Sequence, residues 1–461
     1  MQPSRALIEG SLSRGLILFA LPILFGNVLQ TLNGSVNSVW VGQFLGEASL
    51  AATSNANTVM FLLLGGVFGL SMAATILVGQ NIGAGNLYEA KRVVGTSATF
   101  FTALAALMSA AGWLLSARLL AAMSTPAASM PLATAYMRVI FLVLPFMYIY
   151  AFVMAVLRGA GDSKTPFYFL LLSVGLDIAL NPLLIFGLGP VPGFGIAGSA
   201  LATFVAQAVS LVALIVSLYR RKHVLCLYRG ELGLLRIDAA ILATLIRKGV
   251  PMGLQIFVLS LSSVAMISLV NRFGVNTTAA FGACWQVWNY IQMSGFALGM
   301  AVSAVAAQNV GARQWDRVAA TARLGVLYNF LLTGSLILLV EIFSRPALAL
   351  FLPADSPALP IAMHANRIVA VTFVFFGVST VLFGVVRATG AVIVPLLILT
   401  LTILVMRFSV AYAFADRWHS DAVWWSFPLT GATLAACALL YYKFGGWRTA
   451  RMAPASVVPP A

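Results

Sequence analysis

Twelve apolar runs of about 20 residues, each long enough to cross roughly 30 Å of hydrocarbon, follow one another along the chain with only short polar breaks between them. In lipid a run of that length satisfies its backbone only as a helix. The spans read as 16–43, 51–79, 93–115, 137–157, 167–188 and 196–218, then, after a polar linker, 245–270, 279–306, 319–343, 368–386, 392–415 and 423–442. Composition agrees, with 61% hydrophobic and 8% charged residues where soluble domains average about 25% charged. A soluble fold is excluded.

The formal charge of +15 has a topological reading rather than a nucleic-acid one. Basic residues fall in short segments between apolar runs, not on one polar surface as nucleic-acid binding needs. Most lie on the side of both termini, whereas Arg118, Arg272, Arg345 and Arg417 lie on the other. The positive-inside rule then predicts that both termini are cytoplasmic. The linker, with Arg220, Arg221, Lys222, Arg229, Arg236, Arg247 and Lys248, reads as a cytoplasmic loop. The polar N-terminus followed by a long apolar run reads as retained, not as a cleaved signal. Cys226, Cys284 and Cys437 are too dispersed for a disulfide framework.

The two halves repeat by residue identity. Phe68-Gly-Leu-Ser-Met-Ala-Ala-Thr-Ile-Leu-Val-Gly-Gln-Asn-Ile-Gly-Ala matches Phe296-Ala-Leu-Gly-Met-Ala-Val-Ser-Ala-Val-Ala-Ala-Gln-Asn-Val-Gly-Ala at a spacing of 228, and at a spacing of 229 Pro22 pairs with Pro251, Arg138 with Arg367, Arg158 with Arg387, Gly161 with Gly390 and Pro166 with Pro395. Six crossings per repeat give both halves the same orientation, the parallel-repeat plan of many secondary transporters. The expected fold is an all-α polytopic membrane protein with twelve transmembrane helices in two pseudo-symmetric six-helix bundles. Its parts are a first bundle at 1–218, a basic linker at 219–248 and a second bundle with its tail at 249–461.

Several motifs occur in order: Val36-Asn-Ser-Val-Trp-Val-Gly, Gly79-Gln-Asn-Ile-Gly-Ala-Gly-Asn, Arg158-Gly-Ala-Gly-Asp-Ser-Lys-Thr-Pro, Asn181-Pro-Leu-Leu-Ile-Phe-Gly and Gly195-Ile-Ala-Gly-Ser-Ala-Leu-Ala-Thr. With them the chain resembles the multidrug and toxic compound extrusion transporters over nearly its whole length. The resemblance implies a V-shaped pair of six-helix bundles that exports small molecules against inward H⁺ or Na⁺ flow, in the inner membrane of a bacterium. One departure stands out: the family's first-helix pattern usually has Asp, assigned to ion coupling, where this chain has Asn37, and an amide does not titrate near neutral pH.

Of twelve carboxylates only Asp177 and Glu341 fall within the spans. Glu341 is expected to pair with Arg345 at i, i+4. Asp177 sits mid-span, and Ser173, Asp177 and Asn181 share one helical face. An ionised carboxylate facing lipid would cost about 3 kcal/mol, so this stripe is expected to face the bundle interior, either as a proton-coupling group or as a hydrogen-bonded pin between helices. Asn27, Gln30, Asn33 and Asn37 lie in one arc of the first helix, and Asn33 or Asn37 is expected to approach Asp177. The ion-coupling set is therefore Asp177, Asn181, Asn37, Asn33 and Ser173. In the second half Gln286, Asn289 and Gln292, interleaved with Trp285, Trp288, Tyr290 and Met293, form a candidate drug-binding face, because aromatic faces attract organic cations and Met adapts to varied shapes; an interfacial aromatic belt is the alternative. Arg138, Arg367 and Arg407 read as braces at helix ends.

The reading with the widest support is a secondary exporter of amphipathic cations driven by protons. The family resemblance implies that Na⁺ coupling in the second bundle would want acids in the seventh or tenth span, and those spans have none. A lipid or lipid-linked glycan flippase is a further alternative. No phosphate-binding loop, H-E-x-x-H or G-x-S-x-G motif is found, and His223, His364 and His419 all fall in loops, so no enzyme, cofactor or metal is expected. Small molecules and the bilayer are the expected partners, with no nucleic acid. One chain holds both repeats and is expected to act as a monomer.

Overall fold

A computed structural model describes residues 6–452 except 46, 123–124, 126–129, 188–191 and 354. Helices dominate, and no strand occurs among the described residues. The long helices are α1 (Leu12–Leu45), α2 (Glu47–Gly83), α3 (Leu87–Ala122), α4 (Met130–Gly159), α5 (Lys164–Phe186), α6 (Ile196–Arg220), α7 (Ala239–Val270), α8 (Val275–Gly311), α9 (Trp315–Ile342), α10 (Ala358–Val369), α11 (Thr372–Ala388), α12 (Ile393–Ala413) and α13 (Ser420–Phe444). Eleven of these are individually long and apolar enough to span a membrane, and α10 with α11 completes a twelfth crossing, bent by 41°. The protein is a multi-pass membrane protein. The tenth span therefore starts ten residues before the position expected from hydropathy, and His364 lies on a helix rather than in a loop, its Nε2 3.0 Å from Asp421.

The described chain separates into two compact units, one running from Phe25 to Gly249 and the other joining the segment that ends at Leu24 to everything from Val250 onward. Helices α1 and α7 each change unit beside a proline, Pro22 and Pro251, which are repeat mates. Proline removes a backbone donor and loosens the helix at that turn. In the second unit Asn309 donates to the carbonyl of Leu7 (3.2 Å), and Arg317 reaches the carbonyls of Leu7 (3.2 Å) and Gly10 (3.0 Å), so the chain's first described turn is anchored to α8 and α9.

Each unit has its own apolar core. In the first, Tyr150, Met154 and Leu157 of α4 pack with Leu170 and Val174 of α5 and Leu211 and Leu214 of α6. In the second, Trp288, Phe281 and Cys284 of α8 pack with Phe373, Trp424 and Phe427. Gly295 and Gly299 of α8 press against α11, where added β-carbons would come within 3.0 Å of Gly377 Cα and the Thr380 carbonyl. Small residues at helix contacts are the expected means of association in lipid, where apolar burial alone drives little.

The basic linker belongs to the first unit. Its 3₁₀ segment Arg229–Leu235 lies on α3 so closely that a β-carbon on Gly95 would meet the Leu234 carbonyl at 2.1 Å. Lys91 Nζ donates to both oxygens of Glu231 (2.7 and 2.8 Å), Thr99 Oγ1 donates to the Leu235 carbonyl (2.7 Å), and Arg92 bridges Glu89 and Asp238. Asp238 also accepts from the N–H groups of Ala240 (2.9 Å) and Ile241 (3.1 Å), capping α7.

The Lys91 ammonium holds the Glu231 carboxyl below its usual range, and the Ile241 and Ala240 amides, with Arg92, do the same for Asp238. A depressed folded pKa gives stability that is present above the unfolded value, near about 4, and is lost as pH falls through the folded value. Each pair is solvent-screened and worth no more than about 1 kcal/mol. Hydrogen exchange across residues 229–238 is accordingly expected to be slow at neutral pH and to accelerate below about pH 4, after correction for intrinsic rates. Lys91→Ala should show the fast behaviour already at neutral pH. Equal protection in both proteins at both pH values would refute the clamp.

Candidate functional site

Asp177 is the only buried carboxylate among the described residues, 2% exposed on α5. The sequence places Ser173, Asp177 and Asn181 on one face, and all three are buried there. Pro182 follows directly, and its missing N–H relaxes the turn that holds Asp177.

Both oxygens of Asp177 are surrounded by donors. Oδ2 accepts from Asn33 Nδ2 (2.7 Å) and Asn37 Nδ2 (2.9 Å), both on α1. Oδ1 accepts from Thr203 Oγ1 on α6 (3.1 Å) and from Asn181 Nδ2 (3.3 Å). Asn181 Nδ2 also reaches the Asp177 carbonyl (2.9 Å) and Asn37 Oδ1 (3.0 Å), tying the amides to one another. Tyr136, buried on α4, is within electrostatic reach of the carboxylate. Three helices, α1, α5 and α6, thus meet on one carboxyl group.

The chemistry of this ring is uneven. It offers four donors to a group that is acceptor-only when ionised, while Asn33 Oδ1 and Asn181 Oδ1 are buried acceptors without a partner. Gln207 Oε1, one turn beyond Thr203 on α6, is a third. An unpaired buried acceptor costs free energy until a proton donor or cation reaches it. The carboxylate is thus fully supplied with donors while amide acceptors beside it stay open.

The approach of Asn33 and Asn37 to Asp177 matches the sequence expectation, whereas Asn27 and Gln30 take no part: Gln30 is exposed, and the Asn27 carbonyl accepts from Thr31. Ser173 is buried one turn before Asp177 without a bond to it. Sequence reasoning missed Thr203 and Tyr136. Thr203 closes the motif that begins at Gly195, so its hydroxyl carried a positional signal; Tyr136 stands in no pattern.

In the second unit, Gln286 is exposed and Trp285, Asn289, Gln292 and Met293 are half-buried along one side of α8. Trp285 leans on Phe281, with ring centroids 5.8 Å apart. Trp288 does not join this face. It is fully buried, and its Nε1 donates to Asn366 Oδ1 (3.0 Å). Asn366 in turn donates to Glu341 (3.0 Å), whose other oxygen accepts from Arg367 Nε (3.2 Å). The expected Glu341–Arg345 pair is thus replaced by Glu341–Arg367, because α9 ends at Ile342 and Arg345 sits on a separate short helix, Ser344–Ala349. Arg138 lies over the Trp113 ring, 5.0 Å from its centroid. Arg407 is no helix-end brace either: it is buried within α12, directly after a π-helical turn at Leu401–Met406.

With this geometry in place, comparison with known proteins is informative. The sequence profile of the MatE family matches residues 22–183 and 251–413, one stretch in each repeat. The chain is 36% identical over 436 residues to the probable multidrug resistance protein YoeA of Bacillus subtilis, covering 94% of each chain. It is 30% identical over 445 residues to the probable multidrug resistance protein YpnP of the same organism, covering 96% of this chain and 98% of that one. A solved outward-facing multidrug resistance MATE family transporter of the MOP superfamily superposes with a TM-score of 0.88 at 20% identity, over 96% of this chain and 97% of that one.

Proposed function

The chain is a member of the MatE transporter family, and on that premise we propose that it exports amphipathic, cationic drugs or toxic compounds in exchange for protons, with Asp177 as the proton carrier. The observation that carries this reading is the Asp177 ring: one buried carboxylate with its lone pairs filled by four donors, and two unpaired amide carbonyls beside it.

Proton uptake would convert one oxygen of Asp177 from acceptor to donor. One amide must then turn to offer its oxygen, and Asn33 and Asn181 each have an uncommitted Oδ1 to offer. Because Asn33 and Asn37 belong to α1, Asn181 to α5 and Thr203 to α6, the change alters how three helices are tied together. A transporter needs such a link between ion occupancy and helix arrangement, and intramembrane carboxylates supply it in proton relays. The half-buried side of α8, with Trp285, Asn289, Gln292 and Met293 and the exposed Gln286, is assigned to the drug: a ring face for a cation, amides for adaptable hydrogen bonds and a soft thioether. Both termini are placed on the cytoplasmic side of a bacterial inner membrane, and the monomer is the working unit. The same cluster of oxygens favours Na⁺ as the second reading, since two unpaired carbonyls beside a carboxylate are hard donors. Lipid or lipid-linked glycan transport is the third.

Purified protein in proteoliposomes, supplied with the cationic dye rhodamine 6G under an imposed pH gradient and separately under a Na⁺ gradient, tests this. The pH gradient alone is expected to drive the dye. Movement under the Na⁺ gradient alone would transfer coupling to the second reading. Dye that moves under neither gradient would remove the drug-export reading, and a lipid-translocation assay would then test the third.

A further inference from the structure

Lys91, Gly95 and Thr99 of α3 recur every four residues and share one face. The linker meets them in order: Glu231 at Lys91 (2.7 Å), the Leu234 carbonyl against Gly95, and the Leu235 carbonyl at Thr99 (2.7 Å). It then turns back along α3, where the Asp238 N–H donates to Thr96 Oγ1 (3.3 Å) and the Asp238 carboxylate meets Arg92. Helix α3 thereby acts as a ruler of depth. At about 1.5 Å per residue, Lys91 lies about 3 Å outside the apolar run that begins at Val93, and Thr99 lies about 9 Å inside it. The linker is therefore a shallow dip toward the hydrocarbon, deepest at Leu235.

A 3₁₀ segment has three residues per turn, so side chains at i and i+3 eclipse. Arg229–Leu235 accordingly presents three ridges. Glu231 and Leu234 are half-buried toward α3, Gly230 and Gly233 form a second ridge, and Arg229, Leu232 and Leu235 form a third that is exposed along its length. Arg236 and Ile237 continue the exposed run. Both acids of the segment are turned to α3, Glu231 on Lys91 and Asp238 on Arg92, so among the described residues Arg229 and Arg236 have no carboxylate partner. Exposed leucines between unpaired cations, beside the first turns of a membrane-crossing helix, complement one surface: the boundary between anionic headgroups and acyl chains.

We infer that residues 229–237 anchor the linker in the adjacent leaflet, with Leu232, Leu235 and Ile237 among the upper acyl carbons and Arg229 and Arg236 on the phosphates of anionic phospholipid. Arginine suits this boundary because its stem lies along apolar surface while its head reaches the phosphate. The anchor goes beyond the transport reading and depends on neither the cargo nor the coupling ion.

Full-length protein in nanodiscs of phosphatidylcholine, with or without phosphatidylglycerol, tests both parts. Depth is read from a nitroxide at Leu232→Cys, with Cys226, Cys284 and Cys437 changed to Ala, by collision with oxygen against a water-soluble nickel chelate. Oxygen is expected to dominate. A label that meets the chelate as freely as a nitroxide in water would leave this face to solvent or to a protein partner and overturn the anchor. Headgroup binding is read by hydrogen exchange across 229–237 in the unlabelled wild type and in a variant carrying Arg229→Gln and Arg236→Gln. With phosphatidylglycerol the wild type is expected to exchange more slowly than the variant, by about fivefold for each arginine, and in phosphatidylcholine alone the two should agree. Comparison within one bilayer removes the effect of surface pH on exchange. Equal rates in phosphatidylglycerol, or the same difference in both lipids, would overturn the phosphate assignment. The exchange measurement carries the test if the labelled variant does not yield monodisperse protein. Neither readout uses a gradient or a dye, so failure of export leaves the anchor standing, and loss of the anchor leaves the export reading untouched.

Discussion

Asp177→Asn is expected to reduce pH-driven dye export to the passive leak while leaving the helices in place. The replacement keeps the shape of the side chain and removes its titration, so no proton can be carried. It also turns one acceptor oxygen into an NH₂ group. Asn33, Asn37, Asn181 and Thr203 all donate to the carboxylate, so one donor must then face another unless an amide turns. Asn33 Oδ1 and Asn181 Oδ1 are unpaired and can meet the new N–H by such a turn, which limits the stability loss to about 1–3 kcal/mol. Export and the thermal midpoint measured on the same preparation separate the two effects. A variant that keeps the wild-type pH response of export would show that Asp177 only pins helices, and the coupling proposal would be lost.

The second large effect concerns the helix contact that supports the ring. At Gly198 on α6 an added β-carbon would come 2.2 Å from the Leu184 carbonyl oxygen and 2.5 Å from its carbon, both backbone atoms of α5. Neither can move aside without displacing the helix, and Thr203, five residues along α6, would move with it. Gly198→Ala is expected to cost about 3 kcal/mol or more, the upper range for overpacking, and to lower both the monodisperse yield and the thermal midpoint. Gly175→Ala, on the exposed side of α5 where nothing lies within 4 Å, provides the control and is expected to be neutral or slightly stabilising through helix propensity. A wild-type midpoint for Gly198→Ala would contradict the contact.

Which features could be read beforehand follows from what a linear pattern encodes. Apolar length is imposed by the bilayer, so the twelve crossings were legible from hydropathy. The break between α10 and α11 was not. Residues Ala370 and Val371 include neither proline nor glycine, and the chain turns there through the tighter Phe373-to-Ala370 and Val374-to-Val371 bonds, both 3.1 Å. Asp177 stood out because a carboxylate inside an apolar run demands a partner, and the α1 amides were found through their angular spacing. Thr203 reaches the same carboxyl group from α6, with Tyr136 of α4 within electrostatic range, and no spacing along the chain reports that convergence. For Arg407 the sequence did contain a signal, one residue of slippage between the repeats, but only the buried faces locate it within Leu401–Met406.

That slippage has a genetic scale. A helix shorter by one residue would present Met406 and Val410 inward and keep the spacing of 229 between the two halves. Adding a single codon within the π turn rotates every later side chain of α12 by about 100° and disturbs nothing upstream. The helix ends six residues after Arg407, at Ala413, so the rotation is absorbed before the next crossing begins. A difference of one residue in length thus decides which side chain of the helix faces the interior of its unit beyond the π turn, Arg407 in place of Met406.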